Sequence, residues 1–246
     1  MGPMTEAERY AFDVRGYVVR RGALSAAEVD ALNAAVDGLS LPSPGHTIQS
    51  QRFTGHLSSS RHFVALLDHA AVFDILVELC GPQLRLDHTY GIVMAPDTEG
   101  LGLHGGGTPF DAAQFYVVQA GRISCGLVAV QWCLVDHPPA GGGFRCVPGS
   151  HRASFASPQP MPDELVVDVA LGAGDVLIFS EALTHATARW RAPHERRTLL
   201  YKYSPGNSAW GKDEVLPSEL APRLTERQRL LFEPPYVAYR RSLLPG

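Results

Sequence analysis

Two of the ten histidines in this chain stand where a metal could use them. His104 heads a run of three glycines in LGLHGGG, and His185 closes the apolar stretch GDVLIFSEALTH. Neutral imidazole is a good ligand for transition metals, though a lone histidine is more often a satisfied core residue. Arg196 follows eleven residues after His185, and a guanidinium fork binds a carboxylate through two parallel N–H groups. Gln131 interrupts the otherwise oily GLVAVQWCLV, and a buried amide needs a partner. Other chemistries lack their residues. No G-x-S-x-G elbow is present, and Gly149-Ser150-His151 follows a proline and reads as a turn. Neither H-E-x-x-H nor C-x-x-C occurs, and the glycine runs at 105–107 and 141–143 are followed by no Lys-Ser/Thr and open no helix.

What remains is an ordered set: His104, GGGFRCVPGSHR at 141–152, GDVLIFSEALTHATARW at 174–190 and RRTLLYKY at 196–203. Over residues of about 12–205 this order resembles the phytanoyl-CoA dioxygenase family of Fe(II)/2-oxoglutarate oxygenases. The resemblance implies a double-stranded β-helix, a jelly-roll form, using Fe(II), 2-oxoglutarate and O2. It implies His104 and His185 as iron ligands and Arg196 as the clamp on the far carboxylate of 2-oxoglutarate. Gln131 and Thr187 match positions that touch the cosubstrate. Arg197 takes the opposite strand face and suits the clamp less. His151 reads as structural, holding its turn by a hydrogen bond, and His88, His137 and His194 read as loop or surface residues.

One departure stands out. The family motif is His-x-Asp, and here it reads His104-Gly105-Gly106. Two histidines and a carboxylate leave three iron positions for 2-oxoglutarate and dioxygen. With glycine in place of the carboxylate a fourth position opens, and chloride can take it. His-x-Gly is the arrangement of the 2-oxoglutarate-dependent halogenases. The resemblance to them implies a ferryl with a cis chloride that takes a hydrogen atom from an unactivated C–H bond, after which the carbon radical collects chlorine. Three alternatives stay open. Asp111 swings back as a late ligand, or water fills the position, and either gives a hydroxylase; or the site has decayed and a non-catalytic cupin-like binder remains. Retention of His185, Arg196, Gln131 and Thr187 speaks against decay. Chlorination also requires the substrate hydrogen to lie nearer chloride than oxygen.

These residues need elements to hold them. Residues 5–15 suit a short helix and Gly16–Arg21 a strand. Ser25 with Glu28 forms a capping box for a helix running to about Leu39. Residues 40–60 are rich in Pro, Ser and Gly and read as a loop over a site. A second helix spans Arg61–Cys80 and ends at Gly81-Pro82. Strands are then expected at Gln83–Thr89, Gly91–Ala95, Phe115–Gln119, Ile123–Val135, Gly143–Val147, Leu165–Val169, Asp175–Phe179, His185–Trp190 and Arg197–Tyr203. The tail carries one polar helix near Thr225–Phe232. This is a mainly β chain buttressed by N-terminal helices, one domain over residues 1–246, with MGP before Met4 set aside from the fold reading.

Of 246 residues, 45% are hydrophobic and 19% charged, which is ordinary globular composition. Net charge is −4 and the basic residues are dispersed, which excludes a nucleic-acid polymer or membrane surface as partner. The four cysteines show no paired spacing, so reduced thiols and a cytoplasmic setting are expected. With no basic docking face for a carrier protein, the expected substrate is a free small molecule, and the resemblance to compact bacterial halogenases implies a nucleotide or nucleoside, which can be phosphorylated, as a candidate. Candidate anchors are Arg61, Arg122, Arg145, Lys202 and Arg52. Phe53, Phe110, Trp190 and Trp210 are candidates to stack a base.

Overall fold

The computed structural model describes residues 2–42, 50–106, 111–212 and 216–245. In chain order the elements are α1 (Glu6–Arg15), β1 (Tyr17–Arg20), α2 (Ala26–Asp37), β2 (Ser50–Phe53), α3 (Arg61–Ala65), α4 (Phe73–Cys80), β3 (Arg85–Met94), β4 (Tyr116–Gln119), β5 (Arg122–Cys125), β6 (Val128–Cys133), β7 (Gly143–Cys146), β8 (Val167–Asp168), β9 (Val176–Ser180), β10 (His185–Ala188), β11 (Arg196–Ser204) and α5 (Glu226–Leu231). Two antiparallel sheets carry the fold. The larger has the order β1-β9-β6-β11-β3-β2, the smaller β10-β7-β8, and β4-β5 forms a separate hairpin. The two sheets are the walls of a double-stranded β-helix.

Strand alternation sorts the side chains. On β6, Val128, Val130 and Trp132 pack against the helices with Phe63, Leu67 and Leu76. Between them Ala129 and Cys133 point into the space between the sheets, with Phe144 and Phe179, and Gln131 shares that inward row. On β11, Tyr201 and Tyr203 turn outward and donate to the carbonyls of Phe63 and Leu67, each at 2.8 Å. Arg196, Thr198, Leu200 and Lys202 therefore line the inner face.

Local chemistry explains the helix starts. Thr5 and Ser25 each accept a hydrogen bond from the backbone N–H three residues on, and the Glu8 and Glu28 carboxylates accept one from the backbone N–H of the cap. The N-terminal Gly2 and Pro3, set aside on sequence, join the fold: their carbonyls accept from the Arg20 guanidinium at 2.7 and 2.9 Å.

Four expectations are corrected. The single helix over Arg61–Cys80 is two short ones, because the Ala71 amide bonds the His69 ring at 3.2 Å instead of continuing the ladder. The long strand Ile123–Val135 breaks at Gly126, where a Cβ would stand 2.3 Å from the Ala113 carbonyl oxygen. Gln83–Thr89 and Gly91–Ala95 fuse into β3, since Gly91 leaves room for the Phe53 ring against the strand. The 40–60 loop contains edge strand β2, whose SQRF carries too little apolar alternation to stand out.

Candidate active site

His185 opens β10, and His104 lies opposite it in an isolated antiparallel bridge. Their ring centroids are 4.3 Å apart. Each Nδ1 faces the carbonyl oxygen two residues back, Gly102 at 2.8 Å for His104 and Leu183 at 2.7 Å for His185. A carbonyl only accepts, so each Nδ1 carries the proton and each Nε2 is left with a bare lone pair. His185 is wedged between Phe144 and Phe179. Burial pulls its pKa down further than the Glu181 charge raises it. His185 thus presents the form that binds a metal.

The glycines after His104 serve backbone contact. Gly105 and Gly106 have φ of +74° and +102°, a region side-chain-bearing residues avoid. A Cβ on Gly105 would come within 2.9 Å of the Glu181 and Leu183 carbonyl oxygens, and one on Gly106 within 2.8 Å of Thr184 Oγ1. The run lets the chain lie flat on the β9–β10 turn.

A carboxylate absent from the sequence reading lies beside the histidines. Glu181, in that turn, places Oε2 3.9 Å from His185 Nε2 and Oε1 2.8 Å from Lys202 Nζ, and all three side chains are buried. Burial pushes the Glu181 carboxyl up, but Lys202, through its charge and its hydrogen bond, leads the interactions that hold it below its ordinary value. One sequence signal could have found it: a lone acid in the apolar run LIFSEALTH. Among the described residues, no three His, Cys, Asp or Glu side chains are already closed on one metal position.

Arg196 is 1% exposed, and its Nη1 meets the Met94 sulfur at 3.5 Å. Its Nε has no hydrogen-bond partner among the described residues, and neither has the Thr198 hydroxyl two positions along the same face. Burial brings the guanidinium pKa down to about 10, so it is still cationic at neutral pH. A buried cation without an acid is costly, and a bound carboxylate is what this one lacks. Gln131 Nε2 makes a weak contact with Cys133 Sγ at 3.8 Å. Thr187 shares the inward row of His185 on β10, opposite Phe144. These groups fit 2-oxoglutarate, as the two bare Nε2 atoms fit iron. Arg197 faces the helices and pairs with Asp37 at 2.8 Å.

The remaining candidates divide. Lys202 is inward but committed to Glu181. Arg52 lies over the Tyr90 ring at 3.7 Å, and His88 stacks between Tyr90 and Trp210, giving a ladder on the inner face of β3. Trp190 is a buried wall packed with Met94. Arg61 is exposed at the start of α3, on the helical side of the large sheet. Phe53 packs into that same layer with Phe63. Arg145 is paired with Asp168 at 2.8 Å. Arg122 is exposed on the β4–β5 hairpin. None of these last four is brought to the histidines, and Phe110 lies outside the described residues. Asp111 is spent on the Ala113 amide at 2.7 Å, in its own turn. Two of the supposed loop histidines are not surface groups: His88 is on β3, and His137 is fully buried against Trp190, with neither ring nitrogen paired among the described residues. His151 does hold its turn, through the Asp13 carbonyl at 3.1 Å.

A family profile described as phytanoyl-CoA dioxygenase (PhyH) matches residues 12–198. The chain belongs to the phytanoyl-CoA dioxygenase family. No curated protein matches it. Among solved structures of similar fold is HygX from Streptomyces hygroscopicus with nickel and 2-oxoglutarate bound, at 25% identity and TM-score 0.76 over 95% of this chain and 96% of that one. HygX is also known with hygromycin B bound, at 25% identity and TM-score 0.75 over 95% and 96%. SnoK, an α-ketoglutarate-dependent carbocyclase from nogalamycin biosynthesis, shares the fold at 20% identity and TM-score 0.66 over 92% and 94%. Like other phytanoyl-CoA dioxygenase family members, the chain is thus built on the Fe/2-oxoglutarate oxygenase frame. Its described residues include no helix long and apolar enough to cross a membrane. Its four cysteines are free and buried.

Proposed function

We propose that this chain oxidises a C–H bond of a free small molecule, with Fe(II) held by His104 and His185 and 2-oxoglutarate held by Arg196. The observation that carries the reading is Arg196, a buried inner-face guanidinium without an acidic partner among the described residues. When bound, iron and 2-oxoglutarate supply the oxidising chemistry, spending dioxygen on decarboxylating the cosubstrate and on oxidising the substrate. The protein's part is placement. The Gly102 and Leu183 carbonyls fix both imidazole tautomers. Arg196 and Thr198 orient the far carboxylate, and Gln131 and Thr187 flank the oxoacid. Phe144 and Phe179 exclude water around His185. Substrate is expected against the Arg52–Tyr90–His88–Trp210 ladder, which suits a flat or anionic group such as a nucleotide, presented without a carrier protein in a reducing cytoplasm.

Chlorination is a second reading, favoured by glycine at 106 where the family motif has aspartate. One experiment tests both: Fe(II), 2-oxoglutarate, oxygen and chloride or bromide are incubated with small-molecule panels, and succinate and product masses are followed. Gain of an oxygen atom supports the first reading and a halogen isotope pattern the second. Absence of any charge-transfer band from anaerobic Fe(II) with 2-oxoglutarate would defeat both.

A further inference from the structure

We infer that Glu181 supplies the carboxylate that the His-x-Asp motif provides elsewhere in the family, binding the metal through Oε2 while Lys202 holds Oε1. The inference rests on the proposed iron site and deepens it. Gly106 cannot be the source. It has no side chain, and its backbone, at φ +102° and pressed against Thr184, would disfavour one.

Glu181 is the acid the fold offers instead. It precedes His185 by one tight turn, and Gly105 packs directly over its carbonyl oxygen. The facing of the two groups is the telling feature. His185 donates through Nδ1 to Leu183, so its Nε2 is a bare acceptor, and Glu181 Oε2 is an acceptor too. Two acceptors turned toward each other in a buried site repel unless a cation stands between them. Their 3.9 Å separation is too long for a hydrogen bond. It lies within the range set by two ligands on one ion: with bonds of about 2.1 Å, donors stand about 3 Å apart at a right angle and about 4.2 Å apart in line.

Lys202 explains why the carboxylate keeps its charge and direction. It grips one oxygen at 2.8 Å and leaves the other facing the histidines. Ligation through Oε2 then asks only for rotation about Glu181 side-chain bonds, not for backbone movement. Two imidazoles and this carboxylate make a complete protein ligand set, and the position a halide would need is filled.

The test is Mn(II) binding by the full chain, read by electron paramagnetic resonance without 2-oxoglutarate, for the wild type and for Glu181→Gln, Glu181→Ala and the charge-free Glu181→Gln/Lys202→Met pair. Each variant is expected to bind Mn(II) about 10–100-fold more weakly. The paired variant keeps its thermal transition, which separates ligation from folding. Formate should restore Mn(II) binding to Glu181→Ala and leave the wild type unchanged. In anaerobic Fe(II) with 2-oxoglutarate, chloride should shift the charge-transfer band of Glu181→Ala and not that of the wild type. Wild-type affinity in the folded paired variant, or a chloride-dependent band in the wild type, would overturn the assignment while the histidine site stood. If His185→Ala keeps its Mn(II), the parent site falls and the assignment with it.

Discussion

The amide nitrogens of His104 and His185 each donate to the other's carbonyl oxygen, both at 2.9 Å. The two residues are therefore a directly opposed antiparallel pair whose side chains emerge on one side. The backbone itself, in two reciprocal bonds, sets the spacing of the rings. Replacing either histidine by alanine should remove the anaerobic Fe(II)/2-oxoglutarate band and weaken Fe(II) binding more than 10-fold, about 1.4 kcal/mol or more. His104 is exposed, so its variant should keep its thermal transition. A retained band in either variant would remove the pair from the metal site.

Arg196 and Arg197 are neighbours with opposite fates. Arg196→Lys swaps a planar fork for a point charge, and the KM for 2-oxoglutarate is expected to rise about 10–100-fold, or roughly 1.4–2.8 kcal/mol. Arg197→Lys, on the helical face, should leave it within about twofold. Titrating succinate formation against 2-oxoglutarate in both variants decides the matter, and equal effects would show that the inner-face assignment is wrong.

Gly106→Asp rebuilds the family motif in letters only. At φ +102° and with its Cβ 2.8 Å from Thr184 Oγ1, the new side chain is expected to cost about 1–3 kcal/mol of stability. It should not raise metal affinity. Urea unfolding and Mn(II) titration measure the two effects, and a stable variant with tighter Mn(II) binding would contradict this account.

Lys202 and Glu181 are coupled by burial. Lys202→Met alone leaves an uncompensated buried carboxylate and should destabilise the fold by about 3–5 kcal/mol. Removing both charges should recover most of that loss. A double-mutant cycle in urea measures the coupling, and purely additive effects would deny the ion pair any structural weight.

His56 gives the stability a pH limb. It is enclosed by Phe53, Phe63 and Tyr201, and burial lowers its pKa to about 4. The folded form stays neutral while the unfolded chain protonates below pH ~6.5, so the unfolded state binds more protons. Stability is complete above that pH and falls toward pH 4, by about 3 kcal/mol from this group. His56→Phe should flatten that stretch of the stability–pH curve. An unchanged slope would mean the ring is not buried in its neutral form.

The order of motifs in the sequence was enough to specify the jelly roll, and it named His104, His185 and Arg196 as the candidates that the fold then places on its inner face or across one backbone bridge. These are properties of strand alternation and of residues that recur at fixed offsets along the chain, and both can be read in one dimension. Capping boxes at Thr5 and Ser25 are equally local. What stayed hidden depends on neighbours distant in sequence. The breaks at His69 and Gly126 come from a side chain competing for an amide and from a backbone crossing. Burial of His137 depends on Trp190, more than fifty residues on.

Glu181 is the sharpest case. Along the chain it is a single acid inside an apolar stretch, with nothing to mark it as facing a histidine ring. Its partner Lys202 comes from another strand, and Gly105 covers it from a third segment. Sequence alone determined the jelly roll and the candidates proposed for a metal and an oxoacid. Only tertiary packing decided which carboxylate stands next to the imidazoles, because burial and through-space distance, not chain spacing, set the charge and direction of that acid.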